Sequence, residues 1–414
     1  MKFQFKHVLY AALSLSVLRV FLQWQNRVNR DGVAVKSPAV SVQNIGGTLR
    51  SVRRRVVLDP PRLSAEALGE SVVSYQGVRN MGPRMEFERV DGVAVIHHYG
   101  MGNSGCALAP GAAQYVRMLL RNHAVIRQGE PEMSVPITVV GAGISGLFTA
   151  YELIQEGYSN VQIIAEHFDD LSSQKAGGMW APYAAQRDTA KGFLQAELNS
   201  ISQASYAEYK RIAQGEHPHF SSKCARLLPS YFTDKAHAHL ESLVAAGLMR
   251  PAEEVAVVLG NKEYDMVEYP DGLFIDVAVL MRELSDYLTM HPNVNIQQKK
   301  LAHFRDPSIL GSVVIDCAGL GARVLAHDST VRPVKDHSVM LKNQLRPYQL
   351  TMRLHDYIDQ HGQLCMQSFY YTPGTGEHHQ GILGGSHCTV AGESVTNDDN
   401  FANVVDNAKR IMGL

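Results

Sequence analysis

Gly141, Gly143 and Gly146 stand at G-x-G-x-x-G spacing, and an acid, Glu166, follows 25 residues after the first of them. Glycines and a carboxylate at these intervals suit one kind of chemistry, the holding of two phosphates and a sugar diol. Gly141 allows a tight turn, Gly143 lets the main chain come close to a pyrophosphate, and Gly146 removes the Cβ that would separate helix from strand. Ala142, Ile144 and Ser145 complete the loop, whose N–H groups and helix dipole favour negative charge. Glu166, with His167 beside it, is placed to accept hydrogen bonds from a ribose.

Such a loop needs rigid elements on both sides. The apolar run 137–140 reads as a strand, Leu147, Ala150, Leu153 and Ile154 mark one side of a helix, and 161–165 reads as a second strand ending at the acid. Three glycines alone are a weak signal. Strand, loop, helix, strand and acid in this order specify a dinucleotide-binding βαβ unit.

The chain has 414 residues, room for two core-bearing units of about 150 to 200 residues each. A formal net charge of −1 gives no basic footprint, which excludes nucleic acid as the expected partner. Hydrophobic residues at 45% and charged residues at 19% describe an ordinary globular protein. Cys106, Cys224, Cys317, Cys365 and Cys388 are widely spaced, with no C-x-x-C; neither a disulfide framework nor a zinc site is expected, and a reducing compartment fits. The pair His97-His98 cannot chelate a metal together, because successive strand residues point to opposite faces. It reads as packing, and no metal is expected.

Residues 1–57 form a basic extension with ten Lys or Arg and one acid, Asp31. Its apolar run 8–18 stops at Arg19, short of the about 20 residues of a membrane span. A leader of this kind serves as an organelle presequence, an uncleaved membrane anchor or a disordered tail. Arg53 to Arg55 read as a solvated linker. Residues 58–120 follow as a block of strands and glycine-rich loop, with a strand over 92–99 and a helix over 112–120. The polar stretch 121–134 reads as a linker, and 135–414 hold two interleaved domains. Within them 312–319 reads as a buried parallel strand returning to the dinucleotide sheet, 339–388 as an antiparallel sheet and 401–412 as an amphipathic helix.

After Glu166 the chain runs His167-Phe-Asp-Asp-Leu-Ser172-Ser173-Gln-Lys-Ala-Gly177-Gly178-Met179-Trp180-Ala-Pro-Tyr183. This segment resembles the second flavin-binding signature of the D-amino-acid oxidase and D-aspartate oxidase family. Ile315-Asp-Cys-Ala-Gly-Leu-Gly-Ala322 is similar to that family's returning strand, and Phe369-Tyr370-Tyr-Thr-Pro-Gly374 with Leu383-Gly-Gly385 to its active-site sheet. Val95-Ile-His-His-Tyr-Gly-Met-Gly-Asn-Ser-Gly105, preceded by Gly82-Pro-Arg84, resembles the family's C-terminal signature. Here that signature precedes the dinucleotide strand. Residues 58–414 therefore read as a whole oxidase in circularly permuted order. A fragment of two tandem copies, or an error in the reading frame, would produce the same order of segments.

The resemblance implies an α/β fold: a Rossmann-type FAD-binding domain plus an antiparallel-sheet substrate domain, with the family's C-terminal segment moved to the N-terminal side. It implies FAD as cofactor and molecular oxygen as acceptor, giving hydrogen peroxide. Cofactor contacts are expected from Gly141, Ala142, Gly143, Ile144, Ser145, Gly146, Glu166, His167, Ser172, Ser173, Gly177, Gly178, Met179 and Leu301. Gly102, Ser104, Gly105, Cys106 and Ala107 are expected to face the flavin from a helix N-terminus, with Asn103 among them as a catalytic residue.

Tyr370 matches the tyrosine whose hydroxyl touches the substrate carboxylate. The family's carboxylate-clamping arginine falls at Gln76, Arg79 matches the arginine that follows it, and a second active-site tyrosine falls at Met366. A glutamine brings no charge, so carboxylate binding is expected to be weak unless Arg79 swings in. Three functions stay open: oxidation of a D-amino acid to a 2-oxo acid and ammonia, oxidation of an amine lacking the carboxylate, and flavin binding without catalysis. The leader suggests an organelle or membrane destination, and the final Met-Gly-Leu414 differs from the Ser-Lys-Leu address of peroxisomal members.

Overall fold

A computed structural model describes residues 53–79, 82–123, 132–182, 192–233, 238–345, 347–358, 364–374, 381–389 and 398–414. Residues 1–52 form a unit of their own, outside the described residues, and the expectations for a presequence or anchor fall there. Among the described residues no helix is long and apolar enough to cross a membrane.

The second unit, Arg53–Leu414, begins with β1 (Arg54–Leu58), β2 (Leu68–Arg79), β3 (Arg84–Val90), β4 (Val93–Tyr99) and α1 (Gly105–His123). The βαβ unit follows as β5 (Ile137–Val140), α2 (Ile144–Glu156) and β6 (Val161–Ala165). Then come α3 (Gly192–Ala213), β7 (Ala225–Leu227), β8 (Ser230–Phe232), α4 (Ala238–Ala245), β9 (Glu253–Leu259), β10 (Lys262–Tyr269) and β11 (Leu273–Ile275). The remainder is α5 (Val277–Met290), β12 (Val294–Gln298), β13 (Val313–Asp316), the short α6 (Ala322–Leu325), β14 (Val331–Leu341), β15 (Gln349–Ile358), β16 (Leu364–Thr372), β17 (Gly381–Thr389) and α7 (Asp398–Met412).

Two large sheets result. The six-stranded sheet runs β12-β6-β5-β13-β4-β3, parallel except for β3. Its central strands are buried on both faces, as parallel strands require. Ile96, Val139, Ile163 and Ile315 point to the layer holding α1, α2 and α5, while Val95, Val140, Ile164 and Val314 point to a second cluster with Leu301 and Phe304. Residues 313–316 return to this sheet as expected, between β5 and β4. The segment ahead of the βαβ unit thus supplies two of the sheet's strands.

The nine-stranded sheet runs β1-β9-β10-β8-β15-β16-β17-β14-β2. Its β14 to β17 portion is the antiparallel substrate sheet read from the sequence. α7 packs on one face through Val404, Ala408, Ile411 and Met412 against Val339, Leu341 and Tyr371. The fold class is therefore α/β, with a dinucleotide sheet joined to a large mixed sheet.

Two local expectations need correction. Arg53 to Arg55 are no solvated linker: β1 pairs in parallel with β9, and the three arginines reach Glu254 and Asp265, Glu253 and Glu268, and Glu263. A charge run reads as linker until the acids it faces across a sheet edge are known. α1 is also longer than 112–120 and carries Pro110 inside it. Pro110 has no N–H for the Cys106 carbonyl, and its ring disturbs the turn. Three side chains make up the loss: the Tyr209 hydroxyl donates to Cys106 O at 2.6 Å, Trp180 Nε1 to Ala107 O at 2.9 Å, and Gly111 N–H to Ser205 Oγ at 2.9 Å.

Candidate cofactor cleft and active site

The C-terminal ends of β4, β5, β6 and β13 open onto one cleft of about 480 Å3, where a doubly wound sheet binds its ligands. Gly141 turns the chain at φ +111, and a Cβ there would lie 2.4 Å from Cys317 O. At Gly146 a Cβ would lie 1.9 Å from Gly141 O, so only glycine lets α2 start this close to β5. Gly143 caps α2 with φ −68 and ψ 175, and a Cβ there meets nothing nearer than Ser173 Oγ at 3.4 Å. Its open side faces the cleft.

Most of the expected cofactor residues line this space: Gly141 to Ser145, Glu166, His167, Ser172, Ser173, Leu301, Gly102, Asn103, Gly105 and Cys106. Ser173 Oγ accepts from Ile144 N–H at 3.1 Å and Ser172 Oγ donates to Tyr75 O at 2.5 Å. The second signature thereby ties the start of α2 to β2 of the other sheet. Glu166 stands exposed at the end of β6 with Lys300 Nζ at 2.9 Å, whose hydrogen bond holds the carboxyl below its usual range.

The other expected cofactor residues do not line the cleft. Gly146, Ser104 and Ala107 are buried behind it. Gly177, Gly178 and Met179 lie beyond it, because Ile275 N–H donates to Gly178 O at 2.7 Å, Met179 bridges to Phe274, and the Gly177 carbonyl accepts from Thr372 Oγ1 at 2.6 Å.

Of the four expected catalytic residues, Gln76 and Asn103 line the cleft. Gln76 sits on β2 opposite Val334, and its amide has no partner among the described residues. Arg79 is committed elsewhere. Its guanidinium meets Asp328 at 2.8 Å, Thr330 Oγ1 at 3.1 Å and Gly82 O at 3.0 Å. Tyr370 does not line the cleft; its ring fills the space left by Gly384, where a Cβ would fall 2.1 Å from it, and its hydroxyl donates to Asp336 Oδ2 at 3.4 Å. Burial, with the Asp336 charge added, pushes its pKa well above 10, so it stays a neutral donor. Met366 stands on β16 opposite Asp356 and His387; its side chain lies outside the described residues.

The cleft also takes in residues not expected as cofactor contacts, among them His98, Lys300 and the turn Ala318 to Gly321. The small-residue turn after β13 is the signal for the last group. His97 and His98 project to opposite faces: His97 lies 3.1 Å from both Asp316 and Glu88, while His98 Nδ1 lies 3.0 Å from Thr149 Oγ1.

Burial lowers the His98 pKa to about 4 from an ordinary 6.5. The folded state therefore keeps this ring neutral where the unfolded chain takes up a proton. Its contribution to stability is complete above pH 6.5 and declines as pH falls toward 4. The loss amounts to about 3 kcal/mol at most. Chemical denaturation at several pH values is expected to show a shallower decline in His98→Asn than in the wild type; equal slopes would show that the ring titrates normally.

The cleft fits FAD on three observations of its own: an anion-receptive α2 N-terminus behind an open glycine, a carboxylate at the end of β6, and a second helix start, Gly105, across from the first. Residues 136–413 match the FAD dependent oxidoreductase family DAO. A 213-residue stretch is 24% identical to D-amino-acid oxidase of Dictyostelium discoideum, covering 50% of this chain and 58% of that protein. A 212-residue stretch is 27% identical to the tRNA 5-methylaminomethyl-2-thiouridine biosynthesis bifunctional protein MnmC of a Psychrobacter species, covering 50% of this chain and 27% of that protein. The chain thus spans little more than half the length of the first relative and about a quarter of the second. Among solved structures, glycine oxidase from Bacillus cereus aligns with a TM-score of 0.45 at 13% identity, over 67% of this chain and 79% of that one. A dinucleotide cleft built on this sheet and a family match running across it lead to one conclusion: the chain belongs to the DAO family of FAD-dependent oxidoreductases.

Proposed function

We propose that the protein oxidises the C–N bond of a small amino acid or amine, D-amino acids being the first class, with oxygen as the electron acceptor. The observation that carries this reading is the continuity of the cleft from the glycine loop to Gln76 on the substrate sheet. FAD, when bound, supplies the two-electron acceptor for the substrate Cα–H. Gly141 to Ser145 would hold its pyrophosphate, Glu166 its ribose, and the N–H groups around Gly102 to Gly105 would meet negative charge developing on the reduced ring. The substrate side needs only to hold the neutral amine and keep its Cα–H in line. The oxidised imine then hydrolyses to an oxo compound and ammonia, while oxygen takes two electrons and two protons to become hydrogen peroxide.

A second reading, an amine without the carboxylate, draws support from Arg79 and Gln76. Arg79 is held by Asp328 and Gln76 carries no charge, so the described residues bring no guanidinium to the cleft. The circular order of segments is part of the same proposal; the place of β4 beside β13 in the dinucleotide sheet supports it.

Peroxide release across a panel of D-amino acids, L-amino acids and simple amines, with anaerobic bleaching of the flavin, tests the activity. Gln76→Arg is expected to lower the apparent Michaelis constant for D-amino acids by about ten- to a hundredfold, the value of a hydrogen bond to a charged partner. If no amine or amino acid bleaches the flavin of either protein, the oxidase reading fails.

A further inference from the structure

The turn Ala318 to Gly321 lines the cleft and is wedged between two glycines. On one side a Cβ on Gly141 would lie 2.4 Å from Cys317 O and 3.3 Å from Ala318 Cα, so the turn abuts the glycine loop directly. On the other a Cβ on Gly77, the neighbour of Gln76 on β2, would lie 3.3 Å from Leu320 N. The place of this turn therefore sets how far the glycine loop stands from the strand that carries Gln76.

One side chain pins the start of the turn. Asp316, the last residue of β13, is fully buried, and its Oδ1 accepts from Ala318 N–H at 3.1 Å. Its Oδ2 lies 3.1 Å from Nδ1 of His97, the residue paired with it across β13 and β4. A carboxylate offers lone pairs alone, so the ring is the donor. His97 is itself fully buried, and its Nε2 lies 3.1 Å from Glu88 Oε2, which also accepts from Arg84 Nη2 at 2.6 Å. The Tyr99 ring meets the imidazole edge-on at 5.5 Å. Held at both nitrogens and packed on Tyr99, the ring cannot turn away from Asp316. A buried carboxylate oxygen that loses its donor is costly, and its relief is to swing toward another partner. We propose that His97 is a positioning residue: by donating to Asp316 Oδ2 it fixes the carboxylate whose other oxygen holds the cleft turn, and so it sets the fit of FAD between the glycine loop and β2. His97 does not line the cleft; it acts through Asp316 and the Ala318 N–H. The proposal rests on this cleft being the FAD site.

The test uses the full chain, stripped of flavin and reconstituted. Flavin fluorescence gives the dissociation constant for FAD, and amide hydrogen exchange read by mass spectrometry follows the turn. His97→Leu keeps a side chain of similar size without the donor, whereas His97→Gln keeps an N–H to offer Asp316. The leucine variant is expected to bind FAD about tenfold more weakly and to exchange faster at residues 318–321, with β5 and α2 unchanged. Glutamine is expected to restore most of the affinity and of the protection. A packing role gives the opposite order, because leucine suits a buried site better than glutamine; leucine equal to or better than glutamine would overturn the proposal. Faster exchange spread over β4, β5 and β13 alike would make the effect one of general stability and overturn it too. Should neither variant fold, the wild type still decides: the His97 Nδ1–H resonance is expected to shift when FAD binds, and a resonance unmoved by FAD refutes the link to the cleft. Failure of FAD to bind the wild type would sink the cleft assignment instead, a distinguishable result.

Discussion

Gly143→Val is expected to fold normally and to purify without flavin colour. Its backbone angles are open to any residue, and the nearest atom to an added Cβ, Ser173 Oγ at 3.4 Å, is the end of a short side chain. The apoprotein therefore has little reason to resist the change. The two extra methyl groups, however, project into the space where a pyrophosphate must approach the main chain. A fall in FAD affinity on the order of a thousandfold is expected, equivalent to about 4 kcal/mol. Visible absorbance of the purified protein reads flavin content, and far-ultraviolet circular dichroism reads the fold. Gly146→Ala makes the contrast. Its Cβ would fall 1.9 Å from Gly141 O, so that variant should lose structure together with flavin. A yellow Gly143→Val protein with a full flavin complement would show that the phosphates lie elsewhere.

Arg79→Ala is expected to cost stability ahead of catalysis. The guanidinium is largely buried, paired with Asp328 whose side chain is 6% exposed, and lies 6.0 Å from the Tyr99 ring. Its aliphatic stem also supports the turn at Gly100, where a Cβ would lie 2.8 Å from Arg79 Cδ. Removing one partner of a buried pair leaves a charge uncompensated, and about 3 kcal/mol of stability is expected to go. Urea denaturation measures it.

The acid limb should shift too. Burial works against ionisation of Asp328, but hydrogen bonds from the Thr330 hydroxyl, the Tyr99 hydroxyl and the Thr330 N–H, with the charge of Arg79, outweigh it and hold the carboxyl down at about 2. Such a depressed acid stabilises the fold above its ordinary range near 4 and loses that contribution as pH falls toward 2. Without Arg79 the loss should begin at higher pH. A variant of unchanged stability that fails only to saturate with amino acids would identify Arg79 as the substrate clamp after all.

The cofactor half of this protein is legible in the order of its residues. The glycine loop, the strands on either side of it and the acid that ends the second strand are local features, in which spacing along the chain sets spacing in space, and the structure returns them almost residue for residue. The same holds for the strand at 313–316, where apolar period and a small-residue turn are enough, whereas the helix read over 112–120 begins earlier, at Gly105, because side chains from other elements satisfy the carbonyls around Pro110.

The substrate half follows from contacts made only in the folded chain. Whether Arg79 meets a ligand or Asp328 depends on a residue that the fold brings from a distant part of the sequence, and an arginine carries no sign of its partner. Tyr370 matched a motif, yet the direction of its hydroxyl follows from Asp336 on another strand and from the room left by Gly384. His98 reads as one of two packing histidines, and only the folded chain brings its Nδ1 within 3.0 Å of Thr149 Oγ1. Charge pairing and hydrogen-bond direction are set by neighbours across sheets and helices, so they come into being only when the chain has folded.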